Sequence, residues 1–378
     1  MPTSVNDTFI FLIPKTKSPE TITQYRSISL CNTIYKIISK ILVRRLRPHL
    51  SDLISSFQSS FIPGRRASDN VIILREVIHS FRKRKGRMGN FIVKLDLEKA
   101  FDRLEWCFIC KVLTHFKFPK VWIEWLMACV SSTSTSILFN GSCLESFIPS
   151  RGIRQGDPIS PCIFILCMDY LLHLIEDKVD LQAWRGIRRT CQSFPITHLL
   201  FVDDILLMGT TSTTSISSVK FVLDAFCEES GMRINLNKSK LLFSKNTSPA
   251  QRLQACSVFS IQETTDLGKY LGFPISLSLH KEKDFTFVLE KVRAKLTGWK
   301  SNLLSMGLHR QSSLESLFFS SPLGSSPTMR TQNLISSGHA CASLHNASWE
   351  CPPSWGHTTD AGEKESPLTV YDPKVKGR

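Results

Sequence analysis

The sequence predicts an α+β protein. Stretches with helical spacing of apolar residues share the chain with a short alternating strand and two hairpin-like pairs of apolar runs. Composition agrees: 42% hydrophobic and 21% charged residues over 378 positions exclude a mainly disordered, collagenous or coiled-coil chain.

Residues 33–47 read as an amphipathic helix, with Ile37, Ile38, Ile41, Leu42 and Leu46 on one face and Lys36, Lys40, Arg44, Arg45 and Arg47 on the other. A second helix is predicted from Asp69 to about Phe81, capped by Asp69 or Ser68. It runs into the basic stretch Arg82 to Arg87, closed by Gly86 and Gly89. Phe91, Val93 and Leu95 alternate with Ile92, Lys94 and Asp96, which predicts a strand ending in an aspartate. Helices follow at about 104–115 and 119–130. A hairpin with an Asn140-Gly141 turn joins 137–139 to 143–147. Pro158 to Pro161 open a helix that reaches about Asp177. Thr197 to Val202 and Ile205 to Met208 flank Asp203-Asp204, and a helix at about 214–229 ends at Gly231. Past Leu304, Ser and Pro accumulate and periodicity fades, so 305–378 reads as a degenerate or disordered tail.

No apolar stretch reaches the ~18 residues of a membrane span. The best candidate, Ile159 to Ile175, is broken by Ser160, Pro161, Asp169 and His173. No signal peptide is legible at the N-terminus. The 47 basic and 32 acidic residues leave a net charge of +15, and residues 1–120 hold 22 of the basic but only 9 of the acidic ones. A field so concentrated suggests a polyanion partner, nucleic acid before acidic membrane. The twelve cysteines are scattered. Cys107 and Cys110 form a C-x-x-C inside a helical pattern, with no second pair at zinc-like spacing.

Three carboxylates stand out by position. Asp96 ends an apolar strand, and Asp203 and Asp204 sit at the tip of an apolar hairpin. Unpaired anions are costly there; at ~4 Å and an effective dielectric of ~20, each like-charged pair costs about 4 kcal/mol. Should the three meet, a divalent metal on oxygen ligands would offset the repulsion, and two such ions would suit phosphoryl transfer. Taken alone, Asp-Asp is equally an ordinary polar turn. Arg151 to Pro158 places two glycines, two arginines and a glutamine before a helix, a pattern suited to phosphate or equally to a Gly/Pro turn rimmed by charge.

Four segments in order, Lys94–Asp102 (KLDLEKAFD), Arg151–Pro161 (RGIRQGDPISP), Phe201–Asp204 (FVDD) and Ser230–Lys240 (SGMRINLNKSK), resemble the reverse transcriptase domain of non-LTR (LINE-type) retrotransposons, plant copies most of all. Phe11–Lys15, Tyr25–Leu30 and Gln58–Asn70 resemble the family's upstream finger motifs, and Tyr270–Pro274 (YLGFP) a later one, so the likeness covers about residues 9–304. It implies a right-hand polymerase: a fingers-like basic region at 1–90 and a palm at 91–304, the palm an antiparallel sheet flanked by helices. It implies RNA-directed DNA polymerase activity, with an RNA template, a DNA primer and dNTP as partners, no membrane, and Mg²⁺ or Mn²⁺ as cofactor. Asp96, Asp203 and Asp204 would be the catalytic acids, with Leu97 adding a backbone carbonyl to the metal ligands. Phe101 fits a gate against the ribonucleotide 2′-hydroxyl. Gln155 and Gly156 would lie against the incoming nucleotide, Lys15 and Arg26 would hold its triphosphate, and Lys238 fits the lysine that protonates pyrophosphate. Asp102 recurs in the pattern and reads as structural. The family also implies a nuclear location.

Val202 stands where these elements usually have Ala, and Ser27 where they have Pro. The family implies regions before the fingers and after Trp299 that this sequence does not match, so a truncated copy is expected. Two other readings stay open: a catalytically inactive nucleic-acid-binding remnant, and an unrelated two-metal nuclease that would leave Arg151–Pro161 without a role.

Overall fold

The computed structural model describes residues 5–139, 141–188, 193–276 and 286–296, all within the first of two units, Met1–Phe319, into which the chain divides. Asn140 of the expected turn, residues 297–304 and the 305–378 tail lie outside the described residues.

Strands β1 (Asp7–Pro14) and β2 (Tyr25–Cys31) come first, then α1 (Thr33–Leu46), the single turn α2 (Leu50–Leu53) and α3 (Ala67–Lys83). β3 (Asn90–Leu95) leads through the turn α4 (Ala100–Arg103) to α5 (Trp106–His115), α6 (Lys120–Ser131), β4 (Ser134–Phe139) and β5 (Ser142–Cys143). The rest comprises α7 (Ser160–Asp180), β6 (His198–Phe201), β7 (Asp204–Thr210), α8 (Thr213–Ser230), β8 (Lys240–Phe243), α9 (Pro249–Phe259), the hairpin β9 (Asp266–Tyr270) and β10 (Phe273–Ser276), and α10 (Thr286–Leu296).

The central sheet runs β6-β7-β3-β8, and every pairing in it is antiparallel. Its strands are apolar on both faces because both faces are covered. Phe91, Val93, Leu95, Ile205, Leu207, Leu241 and Phe243 pack towards α5, α7, α8 and α9. The intervening Ile92, Leu206, Met208 and Leu242 pack against Val71, Leu74, Ile78 and Phe81 of α3 and against Leu267, Tyr270 and Ile275 of the β9–β10 hairpin. Period-two alternation thus sorts one strand between two cores, each buried large apolar side chain contributing about 1.5–3 kcal/mol. α7 is buried along most of its length, as the long apolar run 159–175 requires. No helix among the described residues is long and apolar enough to cross a membrane.

A second sheet, β2-β1-β4-β5, joins the start of the chain to residues 134–143. β1 pairs antiparallel with β2 and parallel with β4, so this sheet crosses the expected boundary at residue 90. Neither β1 nor β2 reads as a strand in the sequence; β1 is exposed at alternate positions, and its second partner, β4, lies more than a hundred residues away.

The helix over 33–47 forms, but its buried face differs from the expected one. Tyr35, Ser39, Leu42 and Leu46 are buried, while Ile37 and Ile41 are exposed. Polar bonds turn the helix: the Tyr35 hydroxyl donates to Asp157 Oδ2 at 2.5 Å and Ser39 Oγ to Asp157 Oδ1 at 2.8 Å. α3 begins two residues before Asp69, with Arg66 at its cap position and no side-chain cap bond. α8 ends as expected at Gly231, whose φ of 73° the left-handed cap requires.

Candidate active site

Alternation along β3 puts Lys94 and Asp96 on the face shared with Ile92. On β7 the same alternation puts Asp204 on the face of Leu206 and Met208. β3 and β7 are paired with Leu95 against Ile205, and the register continued by one residue sets Asp96 against Asp204. Directly opposed side chains in such a pair have Cβ atoms about 4.5–5.5 Å apart. Val202 and Asp203 form the two-residue turn between β6 and β7, and Asp203 is exposed. The Asp204 carboxyl is pushed up from the ordinary aspartate range by burial and by the charges of Asp203 and Asp96, with Lys94 acting against them. The three acids therefore act on one another electrostatically. Among the described residues, no group of three His, Cys, Asp or Glu is gathered tightly enough to stand as a finished metal cage.

Leu97 follows the end of β3 and forms an antiparallel bridge with Ile234. Its neighbours bond sideways to residues 233–235: Asn235 N donates to the Asp96 carbonyl and Glu98 N to the Arg233 carbonyl, both at 2.8 Å. In an antiparallel pair this leaves the N–H and C=O of Leu97 facing away from Ile234, on the β7 side. The donor set is then all oxygen, three carboxylates and a carbonyl, which suits a hard divalent cation. The burial and like-charge repulsion that raise Asp204, offset only in part by Lys94, are what such a cation would relieve.

Two lysines join the carboxylates. Lys238 Nζ lies 3.9 Å from Asp96 Oδ2, both side chains being well exposed. Lys94, not singled out as a site residue by the sequence, is lowered from the usual lysine range by burial, with Asp204 and Asp96 raising it and Lys240 opposing them. Its Nζ donates to the Lys269 carbonyl at 2.5 Å, and Lys240 Nζ to the Asp266 carbonyl at 3.2 Å, so both tie the β9–β10 hairpin to this face. The signal was present in the alternation of 91–96, which places Lys94 beside Asp96.

The turn bearing Asp203 is held by the segment Gln58–Asn70. Val202 has φ 56°, a left-handed conformation that a β-branched residue adopts only under constraint. Its N–H donates to Ser60 Oγ at 2.9 Å, and Ser60 Oγ donates to Gln58 Oε1 at 2.7 Å. Asn70 Nδ2 donates to the Leu200 carbonyl at 2.9 Å. Arg65 fixes the clasp by donating to the carbonyls of Ser55, Gln58 (2.7 Å) and Ile54 (2.8 Å). These residues resembled finger motifs in sequence; their bonds show that they position the acidic hairpin.

The loop 151–158 docks on two elements. Gly152 N and Ile153 N donate to the carbonyls of Leu104 and Phe101, each at 2.8 Å. Ser29 N of β2 donates to the Gln155 carbonyl at 2.7 Å. Gly156 has φ 107°, and a Cβ there would meet the Ser29 carbonyl at 2.9 Å, so both conformation and approach demand glycine. Phe101 stacks on Phe164 with centroids 4.5 Å apart and remains half-buried. Lys15 and Arg26 are exposed on the second sheet. The Lys15 Nζ donates to the Thr23 carbonyl at 3.1 Å, and its charge reaches the Asp102 carboxyl.

The phosphate reading is corrected for Arg154. Arg154 donates to Asn6 Oδ1 (2.7 Å), Thr8 Oγ1 (2.8 Å), the Cys129 carbonyl (2.9 Å) and Asp157 Oδ2 (3.1 Å), and its guanidinium lies 4.1 Å from the Tyr35 ring centroid. Those bonds use its donor fork to lock the loop, α1 and the second sheet together. Arg151 pairs with Glu105 at 3.2 Å.

A family model described as reverse transcriptase (RNA-dependent DNA polymerase) matches residues 13–275. The Transposon TX1 uncharacterized 149 kDa protein of Xenopus laevis is 27% identical over 81% of this chain and 23% of its own length. A retrovirus-related Pol polyprotein from the type-2 retrotransposable element R2DM of Drosophila melanogaster is 27% identical over 72% of this chain and 25% of its own. The chain spans about a quarter of the length of these curated relatives. Among solved structures, telomerase from Candida tropicalis, in complex with a fragment of telomeric RNA, aligns over 91% of this chain and 55% of its own with a TM-score of 0.49 and 13% identity.

Proposed function

Because this chain belongs to the reverse transcriptase (RNA-dependent DNA polymerase) family, we propose that it carries the centre of an RNA-directed DNA polymerase, adding dNTPs to a DNA primer 3′-hydroxyl on an RNA template. The observation that carries this is the meeting of Asp96 and Asp204 across the central strand pair, with Asp203 at the adjoining turn. Mg²⁺ or Mn²⁺ held by the three carboxylates and the Leu97 carbonyl would supply charge for the phosphoryl oxygens and acidify the primer hydroxyl.

The remaining roles belong to side chains. Phe101, backed by Phe164, bounds the sugar and rejects a 2′-hydroxyl. Gly156 lets the nucleotide approach the loop backbone, and Gln155, whose carbonyl is used by Ser29, offers its side chain. Lys15 and Arg26 supply positive charge to the triphosphate. Lys238, beside Asp96, gives a proton to the departing pyrophosphate. In domain terms 1–90 serve as fingers and 91–304 as palm, with 134–143 lending strands to the fingers sheet. The ordered motifs support a plant LINE-type element as the source, working in the nucleus.

Primer extension on poly(rA)/oligo(dT) with dTTP tests this, with and without Mg²⁺ and beside Asp203→Ala. The expected result is Mg²⁺-dependent extension that the variant loses while it keeps template binding. Equal activity in the variant removes the carboxylate assignment. RNA binding without extension by a folded protein leaves a non-catalytic binding remnant instead.

A further inference from the structure

Three connections leave the central sheet at the end away from the carboxylates, and all three are basic. Asn90 pairs with Thr210 and Phe91 with Phe243, so residues 82–89, the 185–188 segment and the 244–248 segment meet at one edge. Thr210 N donates to the Arg185 carbonyl at 3.0 Å and Ser244 N to the Asn90 carbonyl at 2.9 Å. Cross-links make these segments one surface. Arg84 Nη1 donates to the Arg188 carbonyl at 3.0 Å, and Asn246 Nδ2 to the carbonyls of Gly86 at 3.1 Å and Met88 at 2.9 Å.

Lys83, Lys85, Arg87, Arg188 and Lys245 are exposed there, and none of the three segments contains an Asp or Glu. A shallow cleft between Ser80, Lys83, Arg84 and Lys85 is bordered by one acid, Glu76. The segments are joined through backbone carbonyls and asparagine, and Lys83, Lys85, Arg87 and Lys245 add exposed positive charge to the surface they form. The three segments themselves hold no aromatic ring, and the exposed Phe194 close by lies outside them, on the stretch that returns past Ile187, so the gathered charge favours phosphate contacts over base stacking. Six residues of strand, at ~3.3 Å each, separate Asn90 from Asp96, or roughly 20 Å.

We propose that this edge is a second nucleic-acid site, which grips the phosphate backbone of a strand segment remote from the carboxylate centre. It needs neither metal nor catalysis, so it stands or falls independently of the polymerase reading.

The test is anisotropy of a fluorescent single-stranded RNA, titrated in EDTA from about 50 to 200 mM salt, with the intact chain, Lys83/Lys85/Arg87/Lys245→Gln and Asp203→Ala. Circular dichroism melting confirms that the variants are folded. Four lost phosphate contacts at about 0.7 each should make the slope of log K against log salt shallower by roughly 3, and affinity at low salt should fall more than about tenfold. Asp203→Ala should keep the full slope whatever its extension activity. A quadruple variant that is folded and retains the original slope overturns the proposal. So does loss of binding to phosphatidylserine vesicles with RNA binding intact, which would assign the edge to a membrane.

Discussion

Replacing Ser60 by Ala removes one buried oxygen that serves two partners. Ser60 is 2% exposed; its Oγ accepts the Val202 N–H at 2.9 Å and donates to Gln58 Oε1 at 2.7 Å. Val202 is held at φ 56°, a conformation that costs a residue with a Cβ about 1–2 kcal/mol and persists only where surroundings enforce it. Leaving a buried donor unpaired costs about 1–3 kcal/mol, as much as the strain that the bond restrains. Ser60→Ala should therefore lower stability by about 1–3 kcal/mol in urea with an unchanged m value, and release the turn carrying Asp203. Misplacement by about 1 Å costs on the order of 10²-fold in rate. The expected kinetic result is a fall in kcat of more than about tenfold in primer extension, with KM for dNTP within about twofold. Ser60→Thr keeps the oxygen and should recover most of kcat. A Ser60→Ala protein that loses stability but keeps full kcat would refute the reasoning, leaving the turn to be held by Asn70 and the strands alone.

Three further outcomes follow from the geometry. Arg154→Met leaves Asp157 buried without its cation and should cost about 3–5 kcal/mol, a fall in Tm of roughly 10 °C; a raised KM for dNTP at unchanged Tm would instead return this guanidinium to the nucleotide. Gly156→Ala adds a 2.9 Å clash to an unfavourable φ and should destabilise more than Gly64→Ala, where φ is 81° but nothing lies within 4 Å; equal Tm losses would show that backbone strain alone matters. Asp169, fully buried on α7, is pushed up to about 7, chiefly by burial, while Ser55 N donates to its Oδ1 at 2.9 Å. The folded state thus keeps a proton that the unfolded chain releases above about pH 4. Stability should fall as pH rises from about 4 to about 7, by on the order of 4 kcal/mol, and Asp169→Asn should flatten that slope in urea titrations; an unaltered slope would assign it to other groups.

Much of the central sheet was legible because its signals are local. The alternation over 91–96 marks a strand ending in Asp96, and the strand that forms is Asn90–Leu95. The apolar runs around Asp203-Asp204 become β6 and β7, and Gly231 ends α8. The first third was less legible. The Phe9–Ile13 run is exposed at alternate positions, and its strand is paired on one side by β2 and on the other by the distant β4. The buried face of α1 departs from its apolar periodicity because the helix turns Tyr35 and Ser39, rather than Ile37, inward towards Asp157.

The sequence by itself determined the α+β class, the order of the motifs, the family they resemble and the position of three acids beside apolar strands, all of which rest on neighbouring residues and their spacing. Only the tertiary structure decided that Asp204 joins the face shared by Lys94 and Asp96, and that Ser60 and Asn70 clasp the acidic hairpin. It alone took Arg154 from phosphate to Asp157 and drew the basic connections at 82–89, 185–188 and 244–248 to one edge. The physical reason is range. Periodicity and turn chemistry are written within a few residues, whereas a charge or hydrogen bond is satisfied by whichever group the fold brings alongside, 175 positions away in the case of Lys94 and the Lys269 carbonyl.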